Sequence, residues 1–279
     1  NYMKSNILLN LNYNLNQYLS NHKNLKLLKK NIHQVKKEFL DKNDFHVVIR
    51  KFESNTKEME KKLIIFSKLF GKPLNQNKHN DKFVKIKPNV NLIKQRKKNH
   101  SIKLRYHQTN AGGDIHSDGP QLATPPKYVI MGCIQQAKQG GFSIVASSKK
   151  IAEYLKIKNP KILQILKKNF FFERRGFNFS NKNILSKPIF TINKKIFSFR
   201  YLREYIEAAY KIKSINLDKK EIQALDLLDK LLIKKKFQSK YKLNEGDIII
   251  LNNNYLAHGR SSFKLNDYSQ RCLIRIWIK

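Results

Sequence analysis

"KYVIMGCIQQAKQGGFSIVAS", residues 127–147, decides the fold. Tyr128 to Ala137 is largely apolar and rich in β-branched side chains, as a buried strand requires. Gln139-Gly140-Gly141 reads as a hairpin turn, and Phe142 to Ser147 as the next strand. The glycine pair has no strand-to-helix context, so it is not read as a phosphate loop.

Working outward, the following stretch alternates helices and strands. "SSKKIAEYLK" is a short helix, and "NPKILQILKKN" another, with Asn159 at the N-cap and Pro160 at the first helical position. "FFFERRGF", "PIFTI" and "KIFSFRY" read as strands, Tyr201 to Tyr210 as helical. In "LDKKEIQALDLLDKLLIKKKF", Asp218 and Glu221 form a capping box, and Ile222, Leu225, Leu228 and Leu232 share one face. Strand signals return in "FQSKYKL", a turn at "NEG", "DIIILNN" and "RCLIRIWI". Upstream, residues 14–42 carry Leu25, Leu27, Leu28, Ile32, Val35 and Phe39 at helical spacing. "DFHVVIRKF" is a strand, and "SNTKEMEKKLIIFSKLFGKPL" a helix starting near Ser54 or Asn55 and closed by Gly71 and Pro73. Short strands are expected in "KFVKIKP" and "SIKLRYHQ". Two strand groups around a helical insertion indicate one domain over 1–279: an antiparallel β core decorated by helices, with residues 1–100 variable and 150–236 inserted.

A 279-residue chain that is 41% hydrophobic can bury enough apolar surface to fold despite its charge. The formal net charge of +37 raises the possibility of nucleic-acid binding. Its distribution argues against that. Lysines occur in nearly every segment, with no basic arm, and asparagine and isoleucine are inflated with them, which is the signature of AT-rich coding and a solvated lysine coat. Cys133 and Cys272 lie in apolar runs and read as free thiols of a reducing compartment. No apolar run reaches membrane-spanning length, and the opening twenty residues lack the continuous core of a signal peptide, so a cytoplasmic protein is expected. The chain opens on Asn rather than Met, which leaves the native start open.

The chemistry concentrates in "GGDIHSDGP", residues 112–120. Non-haem iron(II) oxygenases hold their metal with two histidines and a carboxylate on one face. Residues i and i+2 of an extended segment point the same way, so His116 and Asp118 can supply two of those ligands, and His258, beyond the strand "DIIIL", is the best third. In a chain with 8 histidines and 20 acidic residues, His116-Ser-Asp118 alone reads equally as a polar turn.

Further elements accompany it. "HSDGP", then "QGGFS" a strand later, then "NEGDIIILNNNYLAHGRSSF", then "RCLIRIWI" occur in order and at suitable spacing. From about Arg105 to the C-terminus the chain resembles the taurine dioxygenase (TauD/TfdA-like) family of Fe(II)- and 2-oxoglutarate-dependent oxygenases, relatives of clavaminate synthase. The first hundred residues resemble it loosely, in "FHVVIRKF" and "FSKLFGKPL". The resemblance implies a double-stranded β-helix (jelly roll) core with helical additions. It implies iron bound by His116, Asp118 and His258, and 2-oxoglutarate bound through its distal carboxylate by Arg271 and by Ser143, where threonine is common. Arg275 lies four residues beyond Arg271 and would share its side of a strand, near co-substrate or substrate.

The implied reaction takes O2 and 2-oxoglutarate, with ascorbate as a stimulant, and releases succinate and CO2 while oxidising an unactivated C–H bond. Hydroxylation is the default, with desaturation or cyclisation open. A carboxylate at 118 disfavours halogenation, where that ligand position is vacated. The substrate is a small molecule, anionic or amino-acid-like, or a natural-product intermediate. No specific nucleic acid and no membrane is expected, and a homo-oligomer is left open. A zinc hydrolase using the same histidines gives no reason for Arg271. A basic nucleic-acid-binding protein is the other alternative. His107 reads as a barrel-rim residue or a donor to a ligand; Arg174 and Arg175 as a surface charge cluster or contacts to an anionic substrate; Trp277 and Phe263 as packing.

Overall fold

Helices α1 (Tyr2–Asn21), α2 (Leu25–Val35, running into a π turn at Lys36–Leu40) and α3 (Thr56–Phe70) cover one face of a large sheet. The computed structural model describes residues 2–41, 44–77, 79–99, 108–175, 183–265 and 270–279. The helix expected over 14–42 is two helices, because His22 and Asn24 adopt left-handed backbone (φ 57° and 63°) and turn the chain between them. Leu28, Ile32, Val35 and Phe39 are buried as their spacing requires, while Leu27 is exposed.

The large sheet runs β1 (Val47–Ile49), β11 (Ile248–Asn252), β4 (Tyr128–Gln135), β13 (Cys272–Ile278) and β2 (Pro73–Leu74), with β3 (Phe83–Ile86) also pairing β13. A smaller sheet has the order β10 (Gln238–Tyr241), β5 (Ser143–Ser147), β12 (Leu256–Arg260). All these pairings are antiparallel. The period of two sorts each strand between layers. Ile130, Ile250, Ile274 and Ile276 point toward α1–α3, whereas Val129, Cys133, Ile249, Leu251, Leu273 and Trp277 point the other way. There they meet Val145 and Leu256 of the small sheet, so this second cluster is the space between the sheets. Gly132 shows how close the helical layer lies: a Cβ there would come within 2.7 Å of Leu63 Cδ2 and 2.8 Å of Met59 Cε.

The outer face of the small sheet, through Ala146 and Ala257, is covered by the insertion. This comprises α5 (Ser148–Lys158), α6 (Pro160–Leu166), β6 (Asn169–Glu173) paired with β7 (Ile184–Pro188), β8 (Phe190–Ile192) paired with β9 (Phe197–Phe199), α7 (Arg203–Ile212) and α8 (Lys219–Leu232). Asp218 and Glu221 make the expected capping box on α8, and Leu225, Leu228 and Leu232 are buried, but Ile222 is 40% exposed and lies off that face. Asn55 caps α3 with its side chain, accepting from the backbone of Lys57 and Glu58. The strand β7 and the helix α4 (Val90–Lys98) carry weak periodicity and are visible only in the structure. "SIKLRYHQ" and His107 fall outside the described residues, apart from Gln108. Both cysteines are free thiols, Cys133 buried and Cys272 half-buried. No described helix is long and apolar enough to cross a membrane.

Candidate metal centre

His258 lies beyond the strand "DIIIL", as expected, and inside a further strand of its own. In β12 it stands opposite Val145, with Ala257 facing outward, so its ring enters the space between the sheets. His116 joins the same strand through a two-way bridge: His116 N donates to His258 O at 3.0 Å and His258 N to His116 O at 2.7 Å. Residues far apart in sequence are thus fixed side by side by backbone bonds. Their rings lie 4.9 Å apart, centre to centre. Asp118, two residues past His116, turns back to them: Oδ1 lies 3.9 Å from His116 Nε2, and Oδ2 3.5 Å from His258 Nε2. One ligand atom from each residue falls within 4.8 Å of the others, and no second such group of three occurs among the described residues.

The backbone around Asp118 is held by Asn253, in the turn before β12. Its Oδ1 accepts from Asp118 N (2.8 Å), and its Nδ2 donates to Asp118 O (2.9 Å) and Pro126 O (3.0 Å). Ser117 is tied to Tyr201 by reciprocal bonds, Ser117 N to Tyr201 O and Tyr201 N to Ser117 Oγ, each 2.9 Å. Arg200 forks onto the carbonyls of Pro120, Leu122 and Ala123. Such a loop does not need a bound ion to hold its shape.

The side chains are electrostatically ready for a cation. Asp118 is buried, and burial alone would raise its pKa. Arg275, His258 and His116 outweigh that and hold it below the usual carboxylate value, with a smaller contribution from the Trp277 indole N–H, which does not reach hydrogen-bonding geometry. Burial pushes His258 down to about 4 against the opposing pull of Asp118, so its imidazole is neutral at pH 7. His116 Nδ1 lies 2.9 Å from Asp114 O; a carbonyl only accepts, so Nδ1 is the donor there and Nε2 is the nitrogen that faces the centre. Asp118 Oδ2 is buried with no hydrogen-bond partner. An orphaned oxygen on a carboxylate that two imidazoles flank is what a divalent cation satisfies.

Arg275 projects from β13 to the same point. Its Nη1 donates to Asp118 Oδ1 at 2.7 Å, its Nε to Gln76 Oε1 at 2.8 Å, and its guanidinium lies 4.9 Å from the centre of the Trp277 ring. Gln76 also donates to the carbonyls of Arg275 and Lys82. This glutamine, like Asn253, carried no sequence signal, since its partners are remote in the chain. Arg271, just before β13, is buried and donates from Nε to Gln136 Oε1 at 3.2 Å. It lies against Gly141, two residues before buried Ser143, which is paired with Arg260 and Tyr241. The structure therefore gathers His116, Asp118, His258 and Arg275 into one cluster; Arg271 lies outside β13, ahead of a register shift between Cys272 and Leu273, so the expected shared strand face with Arg275 is not formed, and Ser143 stands on β5 of the small sheet. Phe263 and Trp277 are buried. Arg174 is also buried; only its neighbour Arg175 is ion-paired, to Glu173 and Glu204.

Comparison with known proteins gives one consistent picture. Residues 22–277 match the family described as taurine catabolism dioxygenase TauD, TfdA family. FR-33289 synthase of Streptomyces rubellomurinus (strain ATCC 31215) is 28% identical over 214 residues, covering 75% of this chain and 60% of that protein. Human gamma-butyrobetaine dioxygenase is 28% identical over 156 residues, covering 54% of this chain and 40% of its own. The chain thus spans less than two thirds of either relative. Among solved structures, asparagine oxygenase in complex with Fe(II), 2S,3S-3-hydroxyasparagine and succinate superposes with a TM-score of 0.69 at 13% identity, covering 91% of this chain and 79% of that one. The non-heme iron oxygenase OrfP in complex with Fe and alpha-ketoglutaric acid gives 0.64 at 14% identity, covering 91% and 80%. At these identities the structural likeness establishes the fold.

Proposed function

Because the chain belongs to the taurine catabolism dioxygenase TauD, TfdA family, we propose that it is an iron(II)- and 2-oxoglutarate-dependent oxygenase whose metal is held by His116, Asp118 and His258. The observation that carries this reading is the Asp118 carboxylate set against two imidazoles, its orphaned Oδ2 facing His258 and its Oδ1 facing His116 and held by a guanidinium. When bound, iron(II) with 2-oxoglutarate and O2 supplies oxidising power, coupling decarboxylation of the co-substrate to oxidation of a C–H bond.

The protein's part is placement and exclusion of water. His258 presents a neutral nitrogen and Asp118 a negative oxygen, so neither needs a proton removed at neutral pH, and His116 turns its Nε2 toward them. Arg271 is the cation for the distal carboxylate of 2-oxoglutarate, with Ser143 as hydroxyl donor, since a planar fork in a buried setting suits a carboxylate. Arg275 shares the charge of Asp118 and keeps its Nη2 edge for an anionic group of co-substrate or substrate. Leu273, Val145 and Leu256 wall the space between the sheets and keep it dry.

The substrate is a small amino-acid-like or otherwise anionic molecule, and residues 150–236 form the lid over it. Asparagine oxygenase and OrfP were solved with hydroxylated amino acids, which supports this class and favours hydroxylation. The lysine coat is solvent-facing charge in a cytoplasmic enzyme, not a nucleic-acid surface. Anaerobic addition of Fe(II) and 2-oxoglutarate is expected to produce a metal-to-ligand charge-transfer band, and a substrate screen to release succinate. Asp118→Ala abolishes both; undiminished turnover in that variant contradicts the ligand set.

A further inference from the structure

Among the described residues, the buried arginines Arg200, Arg260 and Arg271 are each occupied by a partner: Arg200 by the carbonyls of residues 120, 122 and 123, Arg260 by those of Thr109 and Ala111, Arg271 by Gln136. Arg174 differs. It is 8% exposed and no described carboxylate forms an ion pair with it; its Nε is buried without a hydrogen-bond partner, as is that of Arg260, but Arg260 has its Nη2 held by carbonyls. A buried guanidinium nitrogen is costly to leave without a partner, because its hydration is lost and nothing replaces it.

The backbone explains why its neighbours cannot serve. Arg174 continues β6 by donating its N–H to Asn183 O, so strand alternation puts its side chain on the face of Phe170 and Phe172. Glu173 points to the opposite face and is taken by Arg175, whose left-handed backbone (φ 51°) swings its own guanidinium onto Glu173 and Glu204. Arg174 stands one strand repeat beyond Phe172 on that face, and Phe172 packs toward the loop that follows Asp118. The Phe172 ring lies 5.9 Å from the Arg200 guanidinium, and Arg200 holds the loop that leaves Asp118. That loop carries another buried polar atom without a partner, Gln121 Oε1, so both sides of this junction leave polar capacity unused.

We propose that Arg174 anchors an oxyanion group of the substrate, a carboxylate or phosphonate, on the insertion side of the pocket. This rests on the oxygenase reading for what the ligand is, not for whether an anion binds. The guanidinium fork supplies the charge-assisted bonds, and the substrate supplies the counter-charge that the fold withholds.

The test is a thermal-shift titration of the full chain with acetate, methylphosphonate and neutral acetamide, at constant ionic strength and with Mn(II) and 2-oxoglutarate present to fill the Arg271 position. The wild type should show a saturable rise in melting temperature with one or both anions and none with acetamide, acetate against methylphosphonate reporting the preferred group. Arg174→Gln and Arg174→Met should weaken that binding about thirtyfold or more, whereas Arg175→Gln keeps it. With no anion added, Arg174→Met should melt no lower than the wild type, since an unpaired buried charge has been removed. Equal anion response in the wild type and both Arg174 variants, no saturable response in the wild type, or a lower melting temperature for Arg174→Met would each overturn the proposal. The Fe(II)–2-oxoglutarate charge-transfer band in the same proteins separates the two readings: without it in the wild type the oxygenase assignment falls and the anion result stands, and with it an absent anion response removes Arg174 alone.

Discussion

Replacing Arg275 with Met tests the electrostatics of the centre directly. The variant keeps the length and apolar stem of the side chain over Trp277 but removes the guanidinium 2.7 Å from Asp118 Oδ1 and the donor to Gln76. Asp118 would remain a buried carboxylate without its cation. Breaking a buried pair costs about 3–5 kcal/mol, and because the Arg275 side chain keeps 16% exposure a discounted cost at or just below the bottom of that range, about 2–3 kcal/mol, applies here. In a chain of this size that lowers the melting temperature by roughly 4–9 °C. Metal changes the sign of the comparison. In the wild type a dication shares Asp118 with a guanidinium; in the variant it is the only available counter-charge. Mn(II) should therefore stabilise Arg275→Met by more than it stabilises the wild type, recovering most of the deficit. Melts by circular dichroism in EDTA and in saturating Mn(II) measure both quantities. The double variant with Asp118→Asn should show a coupling of roughly 1 kcal/mol or more, because the amide leaves no charge to strand. A metal-free melting temperature within about 1 °C of the wild type, together with an unchanged metal shift, would refute the claim that Arg275 compensates Asp118.

Two further outcomes follow from other parts of the structure. Gly141 has φ 70°, and a Cβ there would lie 3.0 Å from Gln136 Oε1 and 3.1 Å from Arg271 Cδ. Gly141→Ala is therefore expected to displace the Gln136–Arg271 pair and weaken 2-oxoglutarate binding about tenfold, read from the charge-transfer band, with Mn(II) affinity unchanged; an unchanged 2-oxoglutarate Kd would count against Arg271 as the anchor. Lys62 donates to Phe52 O and to the side-chain oxygens of Asn12 and Asn16, and burial lowers its pKa to about 8 against the opposing effect of Glu53. Since the unfolded chain then binds more protons between about 8 and its ordinary value of 10.5, the contribution of Lys62 to stability rises with pH across that window. Urea unfolding of the wild type and Lys62→Met should give a difference that moves in favour of the wild type from pH 8 to pH 10; a flat or falling difference would contradict the burial argument.

What could be read from the chain depended on where each residue's partners lie. The strands flanking Gly140, the strand "DIIIL" and the cap of α8 are set by neighbours a few positions away, so period and turn chemistry locate them; the turn at Gly140 is not the expected hairpin, because β4 and β5 belong to different sheets and it carries the chain from one to the other. His116 and Asp118 were legible because one extended segment carries both, and His258 because it completes a donor set that chemistry demands. Its own strand was not legible: "YLAHG" has weak β-propensity, and β12 forms because β5 and the His116 segment pair with it from either side. Gln76 and Asn253 show the limit more sharply. Each is an ordinary polar residue whose task exists only once the sheets have closed, Gln76 against Arg275 and Asn253 against Asp118. For Arg174 the chain left surface charge and anion contact equally open. The alternation of β6, which sends Glu173 one way and Arg174 the other, is the observation on which the proposed anion contact rests. The centre is thus assembled by pairings of high sequence separation, and a substitution in β5 or β12 that slips register by one residue would turn the His258 ring out of the inter-sheet space even with every ligand residue retained.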